Sequence, residues 1–203
     1  MKNRTNVRWL TQIALLAAIL LVLNYTPLGY LQVGPLSASL LTVPVAIGAI
    51  TMGPAAGALL GALFGATSFM QALQGKSVMG GALFAASPAG YFVVSVIGRV
   101  LMGLCVGLIF AALQKALPKK EKLTCYIAAF CAPFLNTVFY MGLLVAIFYN
   151  SEFVQNLAAK KGATNPLMFI VLVVGVQAVI EWCVCCAVAG TIALPVRKYI
   201  KNN

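Results

Sequence analysis

Apolar residues along this chain fall in long blocks, not in the alternating or three-to-four-residue periods of a half-buried strand or a surface helix. A membrane crossing needs about 20 predominantly apolar residues. Reading the blocks between Pro, Gly and charged punctuation predicts six transmembrane helices, over about 7–25, 37–52, 54–73, 90–114, 123–149 and 165–194. The joins differ in kind. Residues 26–36, Thr-Pro-Leu-Gly-Tyr-Leu-Gln-Val-Gly-Pro-Leu, predict a Pro/Gly loop, and Met52-Gly53-Pro54 predicts a tight break with Pro in the first turn of the next helix. Gly and Ser dominate the loop over 74–89, charge that over 115–122, and polar residues that over 150–164. Lys2, Arg4 and Arg8 before an apolar run look like a signal peptide, but Asn24-Tyr25-Thr26-Pro27 is no small-residue cleavage site, so a retained first span is expected. The fold class is therefore an all-α integral membrane protein, one six-helix domain over 1–203.

Composition supports lipid as the solvent. The chain is 62% hydrophobic and 8% charged, against about 45–50% and 25% for a soluble domain. The net charge of +11 would suggest nucleic acid if the basic residues shared a contact face. They sit at span ends instead, so the bilayer is the expected partner and nucleic acid is not. With six spans and the N-terminus inside, the cytoplasm holds Lys2, Arg4, Arg8, Lys115, Lys119, Lys120, Lys122, Arg197, Lys198 and Lys201, and the exterior holds Lys76, Lys160 and Lys161. That asymmetry predicts both termini in the cytoplasm.

Enzyme chemistry is poorly provided for. There is no His and no Asp, and the acids are Glu121, Glu152 and Glu181. These absences exclude His-based triads and dyads and argue against a carboxylate or His metal site, so neither catalysis nor a metal or other cofactor is expected. The six cysteines, Cys105, Cys125, Cys131, Cys183, Cys185 and Cys186, lie inside apolar runs and are expected as small buried hydrophobes. Gln74-Gly75-Lys76-Ser77 imitates the end of a P-loop, but the first glycine would fall at Met70, so no nucleotide site follows.

Two features carry packing information. Gly53, Gly57, Gly61 and Gly65 recur every four residues, flanked by Ala58, Ala62 and Ala66. Helices associate in lipid through close backbone approach at small residues, so this stripe is expected to face another helix. The first span has Ala14-x-x-x-Ala18 with Ala17 beside it. Spacing alone leaves internal packing and docking of another membrane subunit equally open.

Charges inside a span are costly and point to function. Arg99 lies about 13 Å below the outer end of the fourth span at 1.5 Å per residue. Asn136 in the fifth span and Gln177 in the sixth come to similar depth, with Tyr140 one turn outward of Asn136 and Glu181 somewhat deeper, one turn from Gln177 on the same face. Gln71 and Ser68 belong to the outer part of the third span. Either Arg99 and Glu181 neutralise each other and pin two helices, or these residues line a cavity open to the outside. In the second case an Arg fork suits a carboxylate and the amides suit hydroxyl or peptide-like groups. Glu181 with Trp182 facing the cavity would favour a thiamine-like cation. A riboflavin-like ligand would use Phe64, Tyr91 or Tyr140 for stacking.

The ordered set of motifs resembles the substrate-binding S components of energy-coupling-factor (ECF) vitamin transporters, over essentially the whole chain. The matching features are Ala14-x-x-x-Ala18, the Pro-Leu-Gly-Tyr…Gly-Pro loop, Val43-Pro44-Val45-Ala46-Ile47-Gly48-Ala49, Gly53-Pro54-Ala55-Ala56-Gly57-Ala58, Gly98-Arg99-Val100-Leu101-Met102-Gly103, Asn136-Thr137 and Glu181. The resemblance implies a six-helix bundle in a prokaryotic plasma membrane that binds a vitamin beneath its exterior loops. It also implies docking, through Ala14 and Ala18 with Ala17 beside them, on a membrane coupling subunit that carries two ATPases, and toppling to release the vitamin inside. Within the family the pattern is most similar to pantothenate-type S components, in which Arg99 and Asn136 would bind the carboxylate and the hydroxyl/amide end. Leu40-Leu41-Thr42-Val43-Pro44 stands where such relatives carry Thr-x-x-His-Ile-Pro. Riboflavin, folate or a thiamine precursor are the alternative substrates, and a stand-alone facilitator or channel is the alternative class. A membrane enzyme would have Glu181 as its one intramembrane base.

Overall fold

The computed structural model describes the backbone of residues 2–26, 29–33 and 36–202, and the side chains of 7–26, 29 and 39–199. The side chains of Lys2, Arg4 and Lys201, and Pro27, Leu28, Gly34 and Pro35 of the predicted first loop, lie outside the described residues. The chain runs α1 (Lys2–Tyr25), β1 (Tyr30–Val33), β2 (Leu36–Ser39), α2 (Thr42–Met52), α3 (Pro54–Leu73), α4 (Val78–Ala86), α5 (Pro88–Phe92), a π turn (Val93–Ile97), α6 (Gly98–Ala116), α7 (Glu121–Phe148), α8 (Glu152–Lys161) and α9 (Pro166–Asn202). Among the described residues, five helical segments are long and apolar enough to cross a membrane: Val7–Tyr25, Pro54–Leu73, Pro88–Ala116, Glu121–Phe148 and Pro166–Tyr199. This is a nearly all-helical, multi-pass membrane protein.

The predicted span over 37–52 is corrected. Residues Leu36–Ser39 pair antiparallel with Tyr30–Val33, in the register Tyr30 opposite Ser39. The signal was present as the two-residue alternation of Leu36-Ser37-Ala38-Ser39. What remains helical is α2, 11 residues or about 16 Å, which is half of a bilayer core of about 30 Å. Thr42 through Ile50 are all buried in α2. An all-round apolar helix that short belongs in the centre of a bundle, and α2 packs against α3, α6, α7 and α9. The predicted loops over 74–89 and 150–164 also contain helices, α4 and α8, capped by the Ser77 and Ser151 side chains.

The predicted break at Met52-Gly53-Pro54 is present. Gly53 has φ +92°, a conformation open to glycine, and ends α2 while Pro54 starts α3. The glycine stripe of α3 then meets α6 and the π turn backbone to backbone. A Cβ at Gly57 would run into the Gly103 carbonyl, one at Gly61 into that of Arg99, and one at Gly65 into that of Ser95. Two hydrophobic clusters result. One gathers α2 with Leu60, Met102, Val106, Ala128 and Cys185. The other gathers Leu83, Tyr91, Met141, Phe148, Val154 and Phe169 under α4 and α8.

Candidate functional site

A cavity of about 300 Å³ lies between these two clusters. That is the small end of the range for ligand sites. Its wall contains six of the seven residues expected from the sequence: Ser68, Arg99, Asn136, Tyr140, Gln177 and Glu181. The seventh, Gln71, is elsewhere: its amide donates to the backbone carbonyl and side-chain oxygen of Asn24, at 3.1 and 3.2 Å, joining the end of α3 to that of α1.

Arg99 is held by the α3–α6 contact. Because Gly61 and Gly65 let the backbones touch, Phe64 on the same turn of α3 reaches over the guanidinium, its ring centroid 4.4 Å away. From α7, Tyr140 stands on the guanidinium at 4.8 Å. Nη1 donates to the Ser95 carbonyl at 2.8 Å. That carbonyl belongs to the π turn, in which the Gly98 N–H bonds to Val93, five residues back. Irregular helical turns of this kind gather at functional sites. Arg99 is 9% exposed, so a positive charge is fixed in a nearly dry wall by aromatic faces and a backbone dipole.

On α7, Pro133 interrupts the helix ladder one turn before the site, and the Thr137 hydroxyl takes up the Pro133 carbonyl at 3.0 Å. Between them Asn136 faces the cavity with its Oδ1 buried and, among the described residues, without a hydrogen-bond partner. A buried acceptor of this kind calls for a donor.

Glu181, 8% exposed, is engaged by protein groups. Its Oε1 accepts from the Ser39 N–H at 2.8 Å and from the Gln177 amide at 3.3 Å. It also interacts electrostatically with Arg99. Trp182 does not share the cavity. Its ring packs edge-on against Phe130 and Phe134, with centroids 5.8 and 5.3 Å away.

Sequence reasoning missed Ser39, Ser77, Met79 and Thr137 in the wall. Ser39 was concealed by the misread span, and Ser77 and Met79 by an unrecognised helix. Phe64 had been noted only as a stacking ring, and Ser68 one turn further on marks the same face of α3. Of the three alanines on α1, Ala17 packs against the inner cluster, whereas Ala14 and Ala18 are exposed on the outside of the bundle. All six cysteines are free.

Known proteins give one assignment. The family model for the substrate-specific component of ECF transporters matches residues 8–193. No curated protein matches the chain.

Proposed function

Because the chain belongs to the family of ECF transporter substrate-specific components, we propose that its cavity captures a small anionic vitamin from outside the cell, pantothenate first among candidates. Membership makes the protein the substrate-binding membrane subunit of a transporter whose energy comes from a separate coupling and ATPase module. The choice of ligand rests on Arg99. A guanidinium held in a nearly dry wall among neutral hydroxyls and amides stabilises a carboxylate by paired, charge-assisted hydrogen bonds. The Asn136 Oδ1 asks for a hydroxyl or amide N–H from the same ligand, and the small volume suits a compact, flexible acid.

Other vitamins fit less well. Phe64 and Tyr140 both stand on Arg99, so neither offers that face to an isoalloxazine ring. Glu181 already serves Ser39 and Gln177, and Trp182 lies apart, which removes the pair that would hold a thiamine-like cation. Ala14 and Ala18 lie outside internal packing and supply the docking face for the coupling subunit in this reading. The bundle end that carries Arg8, Lys115 and Arg197 faces the cytoplasm, as the basic asymmetry requires.

The test is the small molecule that copurifies with the detergent-solubilised protein, identified by mass spectrometry, followed by equilibrium binding of radiolabelled pantothenate. Pantothenate should bind the wild type, and Arg99→Ala should weaken it by about a hundredfold or more, the usual loss when one partner of a buried charged pair is removed. Full affinity in Arg99→Ala would overturn the site, and a neutral or cationic copurified ligand would overturn the choice of vitamin.

A further inference from the structure

The strand pair is the irregular part of the bundle. It lies between α1 and α2, and its last residue lines a cavity set between membrane-spanning helices. Backbone that is neither helical nor in a closed sheet survives at such depth only where protein satisfies each N–H and C=O. The Leu40 N–H points toward the β1 side and bonds to the Gly29 carbonyl at 2.8 Å. Successive N–H groups of a strand alternate in direction, so the Ser39 N–H leaves on the opposite, unpaired edge of β2. There it meets one acceptor, Oε1 of Glu181, at 2.8 Å. The same oxygen takes the Gln177 amide at 3.3 Å, committing one amide N–H of a second cavity residue.

We infer that Glu181 is a positioning residue: it latches the open edge of β2 to α9 and so keeps Ser39 and Gln177 in the cavity wall, acting as a hydrogen-bond acceptor and not through its negative charge. The rival role is electrostatic, a counter-charge to Arg99 or a direct contact to a ligand. The two separate on substitution. Glu181→Gln keeps an oxygen acceptor and loses the charge, whereas Glu181→Leu loses both at similar volume. The inference rests on the vitamin-binding reading for the statement that this wall belongs to a substrate site.

Hydrogen–deuterium exchange of the full-length protein in lipid nanodiscs, with no vitamin added, reads the latch directly. In Glu181→Leu, exchange in peptides covering 29–41 should quicken by about tenfold, the scale of one lost hydrogen bond. In Glu181→Gln it should stay within about threefold of wild type. Equal acceleration in both variants, or none in Glu181→Leu, overturns the inference. If Glu181→Leu does not fold, Ser39→Pro removes the donor N–H without touching α9 or any charge. Faster exchange over 36–41 then supports the latch, and unchanged exchange overturns it. Because no ligand is present, failure of the latch and failure of the vitamin assignment are separate results.

Discussion

The Arg99 guanidinium lies over two aromatic rings, 4.4 Å from the Phe64 centroid and 4.8 Å from that of Tyr140, contacts that a flat, delocalised cation makes better than a compact one. Planarity is therefore as important as charge at this position. Arg99→Lys keeps the positive charge but replaces a flat fork by a point ammonium that neither stacks nor bonds a carboxylate in two places. Pantothenate affinity in that variant should fall by about tenfold to a hundredfold, measured by the same equilibrium binding. Retention of full affinity would mean that charge alone recognises the ligand. Single polar residues in an apolar background were the legible part of the site: Arg99, Asn136, Tyr140, Gln177 and Glu181 stand out against their neighbours and do line one cavity. Gln71 stood out equally and is bonded to Asn24 instead. A lone amide in a span signals that a partner is needed, but not whether that partner is a ligand or another helix. Phe64, an apolar residue in an apolar run, gave no such signal for its place over the guanidinium.

Between elements, the contact of α3 with α6 decides where the site forms. Gly57, Gly61 and Gly65 set the two backbones in touch, and Phe64 and Arg99 meet only because of that closeness. Gly61→Leu forces a side chain into the Arg99 carbonyl, which is backbone and cannot swing aside. Overpacking of this kind costs about 1–3 kcal/mol, and the separated helices would also carry Phe64 off the guanidinium. The variant should show a lowered thermal unfolding midpoint in detergent together with weakened pantothenate binding. Gly142→Leu, where a Cβ meets nothing within 4 Å, is the control and should change neither. Normal stability and binding in Gly61→Leu would refute the argument. The four-residue glycine repeat made this interface readable, because in lipid small residues are the means of close packing. The strand pair was not readable by the same logic. A hydrophobicity window long enough to find spans averages over a four-residue strand, and α2 lent its own hydropathy to the residues before it.

At the scale of the whole molecule, one end is pinned and one helix is loosely held. Arg197 on α9 bonds Glu121 of α7 at 2.6 Å and the Ile50 carbonyl of α2 at 3.2 Å, and stands 4.5 Å from the Phe110 ring of α6. Four elements are thus tied at the end away from the cavity. By contrast α1 packs inward through Leu16, Ala17, Leu20 and Leu23, while Val7, Leu10, Ala14, Leu15, Ala18 and Val22 face out. Lipid alone covers an apolar face adequately, so outward leucines need no explanation. Two alanines one turn apart are different, since they leave a shallow strip on which another helix backbone can lie close. If that strip receives the coupling subunit, filling it should separate capture from transport. Ala14→Trp with Ala18→Trp should leave pantothenate affinity within about twofold of wild type, because neither residue approaches the cavity, while uptake driven by the ATPase module falls by about tenfold or more. Wild-type protein alone in liposomes should bind the vitamin and show no sustained flux, since nothing in a single binding bundle supplies energy or a second gate. Flux without the module would favour a facilitator. Unimpaired uptake in the double variant would move the docking face elsewhere on the bundle.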